Sequence, residues 1–289
     1  MSSVLVIQER AAADAAAPAP RGRVRLVPAL AGGRRLRRSA LGLLLPVSAL
    51  AALELAVRAG AIPAHLLPAP SQIIATLADL WQQGLWQHIA ASALRVATGF
   101  GIGAALALVL GALVGLNRHA EALLDPTFQA LRAIPSLAWV PLLLLWLGID
   151  EAPKIVLIAI GAFFPVYMGV ASGIRGVDRK LMEVGRLYRL SAAALTRRVL
   201  LPAALPAILT GLRNGLSLAW MFMVAAELIA ASRGLGYLLS DGRETGRADI
   251  VLAAIVLLAL LGKLSDSLMA RLEQHWLAWR DSYEGARAA

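Results

Sequence analysis

Several apolar runs in this chain approach the roughly 20 residues that an α-helix needs to cross the hydrocarbon core of a bilayer. No other feature restricts the fold as much, because a lipid-embedded segment must satisfy its backbone groups internally, as a helix does. Of the 289 residues 59% are apolar and the mean hydropathy is +0.70. A soluble domain is nearer half apolar, by about a tenth of its residues. The reading is an all-α polytopic membrane protein, and a soluble fold is set aside.

Six spans are predicted. The first runs from about Leu41 to Ala61, with Glu54 and Arg58 four apart on one helix face, where each partly neutralises the other. Prolines in Ile62-Pro63 and Leu67-Pro68-Ala69-Pro70-Ser71 end it, and Ser71 is the expected N-cap of a short helix from Ile73 to Trp81. Trp81 and Trp86 suit the membrane interface. Span two covers about Ala93 to Leu116 and carries Gly99, Gly103, Gly111 and Gly115, two pairs at the spacing that lets a neighbouring helix approach. Asn117-Arg118-His119 reads as a short loop. Span three, about Pro126 to Leu147, contains Arg132, Pro135 and Pro141, and its prolines predict a bent helix. Span four runs from about Pro153 to Ile174, span five from Ala204 to Ala231 and span six from Ile250 to Met269. The segment Ser232-Arg233-Gly234-Leu235-Gly236 reads as the loop between the last two.

Charge orients these spans. The formal charge is +10, and the arginines cluster at span ends, which favours loop retention over nucleic-acid binding. Basic residues 1–38, Arg118 and the Arg175–Arg198 loop fall on one side, so both termini are expected in the cytoplasm. Residues 1–38, rich in Ala, Arg and Pro, are read as a disordered basic tail, with Arg34-Arg35 part of an uncleaved first anchor. Residues 39–87 hold the first span and an external Pro-containing segment, 88–272 the remaining spans with the basic loop at about 176–203, and 273–289 a cytoplasmic tail. There are no cysteines, which excludes disulfides and thiolate chemistry.

The loop at about 176–203 carries the most information. Glu183, Leu187, Leu190 and Ala194 recur at helical spacing, Ser191 is placed to cap a second short helix, and Pro202 and Pro206 restart the chain into span five. An amphipathic helical loop between spans is either a solvated charged loop or a docking element for a soluble partner.

The stretch Glu183 to Pro202 resembles the EAA signature of ABC importer permeases: Glu-Ala-Ala, three residues, Gly, nine residues, Ile, one residue, Leu-Pro. Glu183 fits the Glu, Val184 and Gly185 follow it, Val199 takes the Ile place, and Leu201-Pro202 fits the end. Further stretches resemble the aliphatic sulfonate permease subfamily: Arg132-Ala133-Ile134-Pro135, Trp146-Leu147-Gly148-Ile149-Asp150-Glu151, Gly234-Leu235-Gly236-Tyr237 and Leu261-Gly262-Lys263-Leu264 among them. The resemblance implies the six-helix fold of type I importer permeases in a bacterial inner membrane. It also implies a second permease copy, two ATPase subunits, a periplasmic or lipoprotein solute-binding protein and a small organic anion as substrate, an aliphatic sulfonate or, since those permeases look similar, taurine, nitrate or a pyrimidine precursor. It makes Glu183, Val184, Gly185, Tyr188, Arg189, Leu190, Ser191, Leu201 and Pro202 the ATPase-docking loop. The signature glycine falls on Arg189, so either the turn is strained there or its geometry differs.

No cofactor, metal or catalytic residue is expected. Gly262-Lys263 lacks the rest of a P-loop, with Leu264 where Ser or Thr is required, so ATP hydrolysis is expected on a separate chain. His65, His88, His119 and His275 are too dispersed for an intramembrane enzyme. An ion-coupled secondary transporter would show inverted repeats and a midplane ionisable cluster, and neither is evident. Arg132, Pro135, Trp220 and Glu227 are the candidates for a translocation pathway or gate, with lipid snorkelling the rival for Arg132 and a buried structural hydrogen bond the rival for Glu227. Lys263 and Asp266, three apart, are expected to pair.

Overall fold

The structure is a computed structural model, and it describes residues 31–279. The basic tail expected over 1–38 and the end of the 273–289 tail therefore lie largely outside the described residues. The chain divides into two units, residues 1–52 and 53–289. In the first, α1 (Ala31–Arg58) begins, and Leu44, Leu45, Val47 and Leu50 along it are exposed. Span one falls on this helix.

The second unit is helical throughout its described residues. Its frame is three long helices, α3 (Leu85–Leu116), α6 (Glu151–Arg175) and α9 (Leu201–Ala230), with α6 packed along both others. The glycine face of α3 lies on α6: a β-carbon at Gly99 would come within 2.6 Å of Ile158, and one at Gly111 within 2.9 Å of Val170. Small residues let the two backbones approach, and dispersion contacts then replace lipid contacts. Tyr167, Val170 and Ile174 of α6 close one half of the core, and Leu157, Ile158, Phe222 and Met223 close the other. A third cluster joins α2 (Pro70–Gln82), α10 (Leu235–Glu244) and α11 (Ala248–Trp276) through Leu80, Leu235, Leu238 and Ile250.

Among the described residues four helical stretches are long and apolar enough to span a membrane: Leu85–Leu116, Glu151–Arg175, Ala192–Ile229 and Ala248–Trp276. The stretch expected as a single bent span three is instead two helical pieces. Residues Arg118–Ala133 form α4, and a 3-10 turn (Ser136–Trp139) leads into α5 (Val140–Leu147), with 88° between the halves. Pro135 is the cause: it has no N–H to donate and pushes Ile134 into extended backbone at ψ 123.

Other local expectations are corrected too. Asn117-Arg118-His119 is not a loop, because the Asn117 side chain caps α4 by accepting from the N–H of His119 at 2.9 Å. Ser71 is not the cap of α2. That helix starts at Pro70, with Ala69 N–H bonded to the Gln72 side chain, while Ser71 donates from both N–H and Oγ to Glu54. Glu54 also pairs with Arg58 at 2.7 Å, as their spacing implies. The chain does not stop and restart at Pro202. It runs as one helical stretch from Ala192 to Ile229, and a π turn at Thr196–Leu200 absorbs the proline. After Gly234 the expected loop becomes α10.

Candidate functional site

The 176–203 segment is a Schellman-capped helix followed by a hairpin return. Asp178 caps α7 (Arg179–Leu187) by accepting from Lys180 N–H at 2.9 Å. At the other end Arg189 N–H donates to Arg186 O at 2.8 Å and Leu190 N–H to Gly185 O at 3.2 Å. Those two bonds require the residue after the C-cap to be left-handed. Arg189 has φ +52, and it is the one non-glycine residue with positive φ among those described. This is the turn for which a glycine is ordinarily chosen, made here with an arginine. Leu190 and Ala194 therefore do not share one helix face with Glu183, as continuous helical spacing had suggested.

Ser191 Oγ accepts from Ala194 N–H at 3.3 Å and starts α8 (Ala192–Leu195), as expected from sequence. Leu195 folds back over α7, and its side chain occupies the space that a β-carbon at Gly185 would need. Leu200 is buried in the same cluster as Ile174 and Ala204, with Val177 and Met182 packed beside it. One face of the segment is thus rooted in the helix core. The other carries Val184, Leu187 and Tyr188 outward, the last two 85% and 78% exposed. Glu183 makes a single surface contact, 2.9 Å to Arg179. Apolar side chains left in the open beside charged ones mark an interaction surface.

The four pathway candidates are not brought together. Arg132 lines a cavity of about 610 Å³, with Pro135 at the neighbouring break. Trp220 faces α11, where its Nε1 donates to Ser265 Oγ at 2.9 Å. Glu227 points elsewhere, into a buried network at the other end of the frame.

In that network Glu227, 1% exposed, accepts from Arg95 Nη1 at 2.7 Å, from Ser92 Oγ at 2.8 Å and from Gly236 N–H at 2.7 Å. Arg95 also forks onto Glu151, with bonds of 2.6 and 2.7 Å, and donates to Arg233 O. Lys154 completes the pairing of Glu151 at 2.9 Å. Ser92 Oγ accepts from Leu235 N–H, and His88 Nδ1 receives the N–H of Gly234. The glycines of Gly234-Leu235-Gly236 are required here: a β-carbon at either position would collide with Glu227. The network ties α3, α6, α9 and the start of α10 into one clamp.

Sequence reasoning missed Arg95, Lys154 and Arg213. A signal existed for Arg95, since an arginine two residues inside a predicted span needs a partner. Arg213 forks onto Asp266 at 2.5 and 2.9 Å, so Asp266 is held chiefly across helices, and its expected partner Lys263 is 3.9 Å away. Among the described residues no group of His, Asp or Glu is gathered to hold a metal ion.

The comparisons with known proteins agree with this architecture. The chain is 45% identical to the aliphatic sulfonates transport permease protein SsuC of Bacillus subtilis, over 84% of this chain and 89% of that one. It is 45% identical to SsuC of Escherichia coli, over 83% and 91%. The taurine transport system permease protein TauC of Escherichia coli is 36% identical over 74% and 80%. Among solved structures, an inward-facing form of the MetNI methionine ABC transporter superposes with a TM-score of 0.55 at 23% identity, covering 68% of this chain and 96% of that one, which speaks to the fold. Residues 103–277 match the family model described as binding-protein-dependent transport system inner membrane component. With the second half of α3 and all of α6, α9 and α11 inside that match, and the exposed segment at 176–203 between α6 and α9, this chain belongs to the family of ABC importer permeases.

Proposed function

We propose that this chain is the membrane subunit of an ATP-driven importer of aliphatic sulfonates. The observation that carries the substrate is its 45% identity to SsuC from two distant bacteria along nearly the whole length. Two copies of the permease work with two ATPase subunits, and a periplasmic or lipoprotein binding protein delivers the anion. The chain sits in the bacterial inner membrane with both termini cytoplasmic.

In this reading the surface of Val184, Leu187 and Tyr188 docks into the ATPase, with Glu183 and Arg189 at its edge. Closure of the ATPases moves the two docking segments. Because Leu200 roots each segment in the core of α3, α6 and α9, that motion reaches the spans as a rigid-body shift. Glu227 has a holding role at the opposite end, since its carboxylate is fully engaged and would repel an anion.

The test is uptake. Proteoliposomes containing the permease, its ATPase and its binding protein should take up pentanesulfonate with ATP, and taurine or nitrate poorly. Uptake of taurine or nitrate in its place refutes the sulfonate reading, and uptake driven by an ion gradient without ATP refutes the ATP-driven class. Topology is checked with cysteines at Thr245 and Ala193, both exposed. An impermeant thiol reagent added outside intact cells should label Thr245→Cys and spare Ala193→Cys, and the reverse pattern inverts the orientation.

A further inference from the structure

The cavity at Arg132 has both polar and apolar lining. Arg132 and Ser136 at the α4 break and Asn214 of α9 are among its polar residues, and Phe164 and Met168 of α6 and Phe222 of α9 are among its apolar ones. Arg132 is the one charged residue among those that line it, and no carboxylate is among them. Four cations of the long helices are anchored, Arg95 by Glu151 and Glu227, Lys154 by Glu151, Arg175 by Glu121 and Arg213 by Asp266, whereas Arg197, Arg198 and Arg271 have no carboxylate partner among the described residues but line no part of this cavity. Arg132 has no such partner among the described residues.

The neighbouring hydroxyls differ from one another in the same informative way. Thr210 Oγ1 donates to Pro206 O at 2.9 Å and Ser172 Oγ to Met168 O, so both are satisfied by their own helices. The side chains of Ser136 and Asn214 have no bond to another described residue, and neither does the Arg132 guanidinium. Three unengaged donors, of which Arg132 and Asn214 are exposed, therefore line a cavity that also has apolar residues. A cation with no counter-ion among the lining residues is open to a passing anion, which it can pair with and release.

We propose that this cavity is a translocation subsite for an amphiphilic monoanion. Arg132, Ser136 and Asn214 receive the oxygens of a tetrahedral oxyanion head such as a sulfonate, and Phe164, Met168 and Phe222 receive its aliphatic tail. The inference rests on the importer reading above and adds the point in the membrane where the anion is recognised. It also makes the permease selective, since a head group without negative charge leaves Arg132 unpaired.

The experiment uses the same proteoliposomes and reads anion uptake per ATP hydrolysed. Pentanesulfonate is the first probe, and taurine and nitrate run beside it. If the wild type carries one of those instead, the sulfonate reading fails and the Arg132 comparison is made on the anion that is carried. Arg132→Gln should keep hydrolysis stimulated by the loaded binding protein while uptake per ATP falls roughly ten-fold or more, the loss expected for one charge-assisted hydrogen bond. Arg132→Lys should restore part of it. Uptake per ATP at the wild-type level in Arg132→Gln overturns the proposal. A defect that appears only in vesicles containing phosphatidylglycerol, and vanishes in phosphatidylcholine, means that Arg132 holds a lipid headgroup and also overturns it. Should Arg132→Gln fail to assemble, Asn214→Leu decides: reduced uptake per ATP supports the subsite, and unchanged uptake overturns it.

Discussion

The clamp around Arg95 and the exposed segment around Arg189 use arginine in opposite ways. Arg95 is 7% exposed and has bonds to two carboxylates and a backbone carbonyl. Its partners in turn bond Ser92, Lys154 and the Gly236 N–H. Everything polar there is satisfied inside the chain, so nothing is left over for a ligand. In the exposed segment, proposed above as the dock, the pattern is inverted. Leu187 and Tyr188 lie open, Glu183 is held only by a surface pair, and Arg189 occupies a backbone conformation that disfavours it. A closed network is evidence of architecture, whereas an unsatisfied surface is evidence of a partner. The cavity at Arg132 falls with the second kind.

The contrast is broken most directly at Arg95. Arg95→Leu leaves Glu227 buried without its cation, which should cost about 3–5 kcal/mol. The expected outcome is a large fall in melting temperature and in yield of monodisperse protein in detergent. The pair Arg95→Leu with Glu227→Gln should recover part of the loss, and failure to recover any would show that Glu151 and Arg233 matter more than Glu227.

The docking segment should respond the other way, in function and not in stability. Glu183→Lys alters an exposed residue, so the melting temperature should hold. Substrate-stimulated ATP hydrolysis and transport should fall, by the roughly 2–5 kcal/mol seen when a charged contact is lost from an interface. Normal coupling in an assembled complex would remove Glu183 from the dock.

Glu227→Gln sharpens the comparison, because it keeps shape and removes only charge. Loss of charged hydrogen bonds predicts a destabilisation of about 1.5–3 kcal/mol. Basal ATP hydrolysis should be unchanged in the complex that assembles. Altered hydrolysis at unaltered stability would return Glu227 to the gate.

Arg189→Gly should have the smallest effect, a gain of about 1 kcal/mol from relief of the left-handed arginine. Coupled transport should be preserved or raised. Loss of transport with intact assembly would mean that the guanidinium contacts an ATPase and that the strain is retained for that contact.

The legible parts of this protein share a property. Spans two, four, five and six fall on α3, α6, α9 and α11 because hydropathy over about 20 residues is a local quantity. Ser191 was readable as a cap because capping is settled within three residues. The left-handed turn at Arg189 was one of two possibilities, and hydrogen bonds from Arg189 and Leu190 back onto α7 select it. Less local features were missed. The prolines of span three foretold a bend, but neither its size, 88° at Pro135, nor the continuity through Pro202, where a π turn accommodates the proline, could be read locally. Helix α10 was missed because its polar sequence spans nothing, and its place is set by Leu235 and Leu238 against α2 and α11.

By itself the amino-acid sequence determined the class of the fold and the position of most of the membrane helices, because each follows from composition or spacing within a few turns. Which charges meet was decided by the tertiary structure alone. Arg95 and Glu227 are 132 positions apart, and Arg213 and Asp266 are 53 apart. Whether such side chains pair depends on helix register and rotation, and those are set when the glycine face of α3 and the side chains of α9 close on α6.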